Sequence, residues 1–164
     1  MKTMLITNGY GLDISHIKNG VVSPALKAVG LDEGAAINLV TGTAIAESHC
    51  RYLYQFGGGP ALGLWQMEPD THKDIWVNFL YYHKDLAAKI NFLMTAQDRK
   101  QQLVTNLAYA AVMCRILYLR SSLALPNAAD AKALSLYHKQ VYNTAQGKAD
   151  PERNVQFFAD AIAA

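Results

Sequence analysis

Features that usually announce metal, thiol or membrane chemistry are scarce in this chain. It has only two cysteines, Cys50 and Cys114, far apart on segments that read as helices, and no Cys-x-x-Cys or His-Glu-x-x-His pattern. Two such cysteines are expected to be unpaired and buried, and neither a metal site nor a cofactor is expected. No stretch of about 18 apolar residues occurs, so no membrane insertion is expected. Charge is also sparse, at 17% of 164 residues, and nearly balanced, with 15 basic and 13 acidic side chains for a net +2. No run of like charge suits a nucleic-acid partner. The opening MKTMLITNGYG has one lysine and three consecutive apolar residues, too few for the core of an export signal.

The chain does have apolar residues, at 51% of the total, enough for one domain that buries roughly two-thirds of its unfolded surface without cross-links. Their spacing is mostly helical. Residues 32–50 read as a helix that Asp32 can cap, with Ala36, Leu39, Val40, Thr43 and Ala46/Glu47 near the 3.6 period. Pro69 suits a first helical position, and the helical pattern after it breaks near His83 to Asp85. The segment TNLAYAAVMCRILYLRSSLAL is the strongest helix, expected to run up to Pro126, and further helices follow Asn127 and Pro151. Residues 1–23 carry weak strand-and-turn signals in LITNGYGLDIS and are expected to form an irregular N-terminal arm or hairpin packed on the body. Residues 24–164 would then be the main domain, and no repeat argues for a second.

One acid stands out by position. Glu47 lies near the C-terminal end of the 32–50 helix, at the edge of its apolar stripe, where partial burial and the negative end of the helix dipole both favour the protonated carboxyl that a general acid needs. After it comes QFGGGPALGLWQMEPDT, rich in glycine and aromatic residues.

The Glu47-Ser48 pair, followed by Gly63-Leu64-Trp65-Gln66 and then Pro69-x-Thr71, resembles the soluble lytic transglycosylases and goose-type lysozymes, enzymes that cut the glycan strands of peptidoglycan. Asn106, Ala110 and Leu119 match a later helix of that family. Tyr142 and Asn143 match its Tyr-Asn-x-Gly segment, although Thr144-Ala145-Gln146 precede Gly147 where the family has Ala-Gly. The likeness spans residues 32–147, with nothing comparable over the first 24.

The resemblance implies a mainly α, lysozyme-like domain with a substrate cleft, and a reaction at the MurNAc–GlcNAc bond. Glu47 would protonate the departing glycosidic oxygen, then take the proton of the MurNAc C6 hydroxyl as that oxygen closes on C1 to give a 1,6-anhydro product. A lysozyme-type hydrolase would instead need a second carboxylate to activate water. No acid lies between Glu47 and Gly63; the nearest candidates are Glu68 and Asp70, then Asp74, and Glu68 stands where the family more often has an apolar residue. The transglycosylase reaction is therefore favoured.

The resemblance also offers Ser48, Trp65, Gln66, Tyr142 and Asn143 as substrate-binding residues. Each has a plainer alternative: a surface serine for Ser48, core packing for Trp65, loop packing for Gln66, and a packed helical face for Tyr142. Tyr52, Tyr54, Phe56, Tyr81 and Tyr82 are near the proposed cleft in sequence, where rings could line a glycan groove or only fill amphipathic faces. His49 reads as an exposed helix-end residue, and His72, His83 and His138 receive no role.

The expected partner is peptidoglycan, met by a monomer. Lacking an export signal, a wall-cutting enzyme points to a bacteriophage product, held in the host cytoplasm until release to the wall or carried in the virion. The remaining alternatives are a non-catalytic glycan-binding virion module and, because the C6 chemistry does not require the lactyl group, chitin or another GlcNAc polymer as substrate.

Overall fold

In the computed structural model, which describes residues 9–143 and 147–164, the chain is mainly helical, with no extended strand among the described residues. The expected mainly α class is what forms. Two isolated bridges, Tyr54 with Leu62 and Leu62 with Met67, are the extended pairings within the loop after the Glu47 helix.

The N-terminal expectation is corrected. Residues 1–8 and 144–146 lie outside the described residues, and from Asp13 onward the chain is helix rather than hairpin. Helix α1 (Ile14–Ile17) runs through a π turn (Lys18–Val22) into α2 (Ser23–Val29), so the expected boundary at residue 23 falls inside one helical stretch. Asp13 caps it by accepting from the His16 amide at 3.1 Å. Pro24 has no N–H to close a turn on Gly20, and the wider π turn accommodates that gap. The same turn brings Ile14 and Ile17 before it, and Val22, Leu26 and Val29 after it, into the core. Burial of these side chains favours the helix.

Helix α3 (Gly34–Ser48) carries Glu47 and is the axis of the core. A one-sided apolar stripe was expected; instead the helix is enclosed nearly all round, with Ala36, Leu39, Val40, Ala44 and Ile45 fully buried beside Thr41 and Thr43. The two buried threonines remain satisfied because their hydroxyls donate back to the carbonyls of Ile37 and Leu39 at 2.8 and 2.7 Å. The residue preceding the helix is Glu33 rather than Asp32, and its carboxylate makes no cap. It pairs at 3.2 Å with the buried Arg115.

Pro69 opens α4 (Pro69–Asn78), a 3-10 turn (Leu80–Tyr82) follows, and the expected break at His83 leads into α5 (Lys84–Phe92). Helix α6 (Arg99–Thr105) meets α7 (Leu107–Leu119) at a 112° bend, where Asn106 caps α7 by accepting from the Tyr109 amide. Pro126 does not stop α7, which ends at Leu119, and the chain then runs irregularly to α8 (Ala131–Tyr137). A second π turn (His138–Asn143) prolongs α8, and α9 (Pro151–Ala163) closes the fold against α3. Among the described residues, no single helix is long and apolar enough to cross a membrane.

Two contacts decide how these helices seat. A Cβ on Gly42 would lie 2.3 Å from Cδ1 of Phe158, so glycine is what lets α9 approach α3. Under α4, the Tyr109 hydroxyl meets Nε2 of His72 at 2.7 Å and accepts from the Trp76 indole N–H at 2.9 Å. With Trp76 donating, the Tyr109 proton goes to His72, which must keep Nε2 bare. Burial, aided by nearby Arg99, holds the His72 ring down at about 4 from its ordinary 6.5, with Asp98 acting weakly the other way.

Both contacts give measurable expectations. Gly→Ala at an exposed helix position gains up to about 1 kcal/mol, but Gly42→Ala is expected to lose about 1–3 kcal/mol by overpacking, with Phe158→Leu in the same chain recovering part of it in urea melts. Between pH 6.5 and 4 the unfolded chain protonates His72 while the folded chain does not. Stability is therefore expected to be complete above that window and to fall by about 3 kcal/mol through it. His72→Leu should flatten that slope.

Candidate active site

The site is built where α3 ends. His49 and Cys50 both adopt left-handed backbone angles, each with φ of 51°, and the Cys50 amide reaches back to the Ala44 carbonyl at 3.3 Å. This turns the chain sharply out of the core into the loop, much as a glycine would at a helix C-terminus. Gly11 caps the turn from outside, its amide donating to the His49 carbonyl at 2.9 Å.

The loop returns as a tight reversal. Leu62 and Met67 exchange two backbone hydrogen bonds of 3.0 Å around Gly63-Leu64-Trp65-Gln66. Gly63 is required there: its φ is +74°, and a Cβ would sit 2.0 Å from the Leu103 carbonyl oxygen. Three side chains bolt the reversal to the core. Ser48 donates from Oγ to the Leu64 carbonyl at 2.7 Å, the Trp65 indole donates to the Val40 carbonyl at 2.9 Å, and the Tyr142 hydroxyl donates to the Trp65 carbonyl at 2.5 Å.

Glu47 projects beside this reversal with 17% of its side chain exposed. Its Oε1 lies 2.8 Å from Nε2 of His138, the first residue of the second π turn and itself 1% exposed. His138 stacks on Tyr142 at 5.8 Å and packs near Phe158 at 5.7 Å. Behind them, Tyr118 of α7 packs on Tyr142 and binds Thr43 of α3 through a 2.7 Å hydroxyl pair. Burial pushes the phenols of Tyr118 and Tyr142 well above their ordinary value, so both stay neutral donors.

In front of Glu47 is a cleft of about 680 Å³, lined by Glu47, Gln66, Met67 and Tyr142, with Tyr52 and Phe56 along one part and Glu68 and Thr71 along another. Asn143 and Lys148 also line it and, together with Glu47, are shared with a second hollow of about 690 Å³ that includes Arg153 and Asn154. Among the described residues, no three His, Cys, Asp or Glu side chains converge as a metal site would need.

The residues singled out in the sequence divide into those that face the cleft and those that build it. Glu47, Gln66, Tyr142, Asn143 and Glu68 line it. Gln66 is held in a left-handed conformation with φ of 48°, its amide donating to the Gly63 carbonyl at 2.8 Å. Ser48 and Trp65 are corrections as substrate contacts: at 2% and 1% exposure they cannot touch a ligand, and their polar atoms are spent on backbone carbonyls, Ser48 on Leu64 of the loop and Trp65 on Val40 of α3. Asp70, in the first turn of α4, is exposed but not part of the cleft lining. Tyr52 and Phe56 reach the cleft, while Tyr81 and Tyr82 line a separate surface hollow.

His138, given no role from sequence, is the residue that sequence reading missed. Its link to Glu47 joins positions 91 apart in the chain, and no local spacing reveals it. Cys50 and Cys114 are both unpaired and buried, and burial pushes the Cys50 thiol up to about 12. No family model, curated protein or solved structure matches the chain.

Ser48→Ala is expected to cost about 1–3 kcal/mol, because the buried Leu64 carbonyl loses its hydroxyl partner. The measurement is the urea midpoint, and an exposed serine would have left it unmoved.

Proposed function

We propose that the protein cleaves peptidoglycan glycan strands between MurNAc and GlcNAc as a lytic transglycosylase, on a lysozyme-like helical domain whose substrate cleft is the one in front of Glu47. The observation that carries this reading is the half-buried Glu47 carboxyl, which opens onto a cleft edged by exposed rings and by Gln66, Tyr142 and Asn143. The sequence motif around it supplies the substrate class.

In this reading the protonated Glu47 delivers its proton to the glycosidic oxygen as the C1–O bond breaks and positive charge grows on the MurNAc ring. The C6 oxygen then bonds to C1, and its proton passes to the Glu47 carboxylate. The acid is thereby regenerated and no water is consumed. Tyr52 and Phe56 offer apolar ring faces to sugar rings, and the Gln66 amide oxygen is free to accept from an N-acetyl N–H while its nitrogen stays bonded to Gly63.

A second reading, hydrolysis with Glu68 activating water, is favoured by one observation: Glu68 is exposed and lines the same cleft. The experiment is mass spectrometry of soluble fragments after the protein and its Glu47→Gln variant meet purified peptidoglycan. The expected result is muropeptides lighter by one water, released by the parent alone. Reducing-end MurNAc products would assign the reaction to the Glu68 mechanism. Wall association with no fragments from the parent would instead support a non-catalytic binding module.

A further inference from the structure

We propose that His138 is the positioning residue of Glu47: it holds Oε1 through its Nε2–H and leaves Oε2 as the oxygen that meets the glycan. This rests on the reading of Glu47 as the proton carrier. Nε2 of His138 is 2.8 Å from Oε1, while Nδ1 of the same ring is buried and has no hydrogen-bond partner among the described residues. A buried N–H without an acceptor loses its hydration for nothing, whereas a bare ring nitrogen leaves only a lone pair unmatched. The hydrogen therefore sits on Nε2, and His138 is the donor.

The ring cannot turn to offer the other nitrogen. It is 1% exposed, with Tyr142 stacked along one face and Phe158 tilted against it. His138 and Tyr142 are four residues apart on the π turn that starts at His138, and their rings stack with centroids 5.8 Å apart. Tyr142 is itself fixed by its hydrogen bond to the Trp65 carbonyl, so the reversal carrying Gln66 and the ring holding Glu47 share one support.

The consequence lies in the two halves of the reaction. When Oε2 has given its proton to the glycosidic oxygen, the new carboxylate already has a donor on Oε1, arranged before the charge appears. When the C6 proton comes back, Oε2 is the open site. A carboxylate free to rotate would have to be ordered in each step.

The test uses the full chain labelled with 15N-histidine, together with kcat and KM on soluble glycan fragments for the parent, His138→Phe, His138→Gln and Glu47→Gln. In the parent, His138 is expected to show a protonated Nε2 and a bare Nδ1 in ring-nitrogen NMR spectra, and Glu47→Gln should shift the Nε2 signal. His138→Phe should lower kcat by about ten- to hundredfold with KM little changed, the loss of one charge-assisted hydrogen bond. His138→Gln, which keeps an N–H near the same place, should recover most of it. Circular dichroism melts establish that each variant is folded.

A hydrogen on Nδ1, parental kcat in His138→Phe, or a folded His138→Gln no better than the phenylalanine variant would each overturn the proposal. If the parent releases no fragments while Nε2 remains bonded to Glu47, the reaction assigned to this site fails and the pair survives as a structural contact alone, which also overturns the positioning role.

Discussion

The fold depends on how one carboxyl is accommodated at the end of a helix that is otherwise sealed from water. Helix α3 is buried nearly all round, so Glu47, one residue from its end, sits where apolar protein ceases and the cleft starts. A carboxyl so placed needs a partner or it costs more than its neighbours can return. His138 is that partner, carried by the continuation of α8, with Phe158 of α9 pressed against its ring. Phe158 can do so only because position 42 of α3 has no side chain. The contact that seats α9 and the contact that holds Glu47 thus form one connected stack.

The other wall of the cleft follows a different rule, the satisfaction of buried backbone. A loop of glycines and aromatics folded against a core exposes few of its carbonyls to water, so each must find a donor. Ser48 serves Leu64 and Tyr142 serves Trp65, while the Trp65 indole ties the loop to the Val40 carbonyl of α3. Residues that look from their type like sugar contacts are therefore used as internal struts. Among the residues that face the cleft, Tyr52, Phe56 and Glu68 take no part in these struts, and Gln66 spends only its amide nitrogen on the loop, at the Gly63 carbonyl.

Much of the helical layout was legible in the chain. Pro69 at a first helical position, the break at His83 and the helix after Pro151 all follow from local stereochemistry, and all form where expected. Where reading failed, distant contacts outweighed local preference. The arm-or-hairpin reading of residues 1–23 fails from Ile14 on, where burial of Ile17, Val22 and Leu26 holds the chain in a helix. Pro126 forbids helix locally, yet α7 ends well before it at Leu119. Asp32 has the better capping side chain, but Glu33 takes the position and spends its carboxylate on Arg115, 82 residues away.

The sequence by itself determined the helical class and the place of Glu47 near a helix end, because these depend on backbone angles and spacings within a few residues. Only the tertiary structure decided which side chains serve the site. Ser48 and Trp65 turned inward, Asp70 lay aside, and His138 arrived from 91 residues away to meet Glu47. Hydrogen-bond partners of that kind are set by how helices pack, and packing depends on the shape of surfaces that no single segment contains.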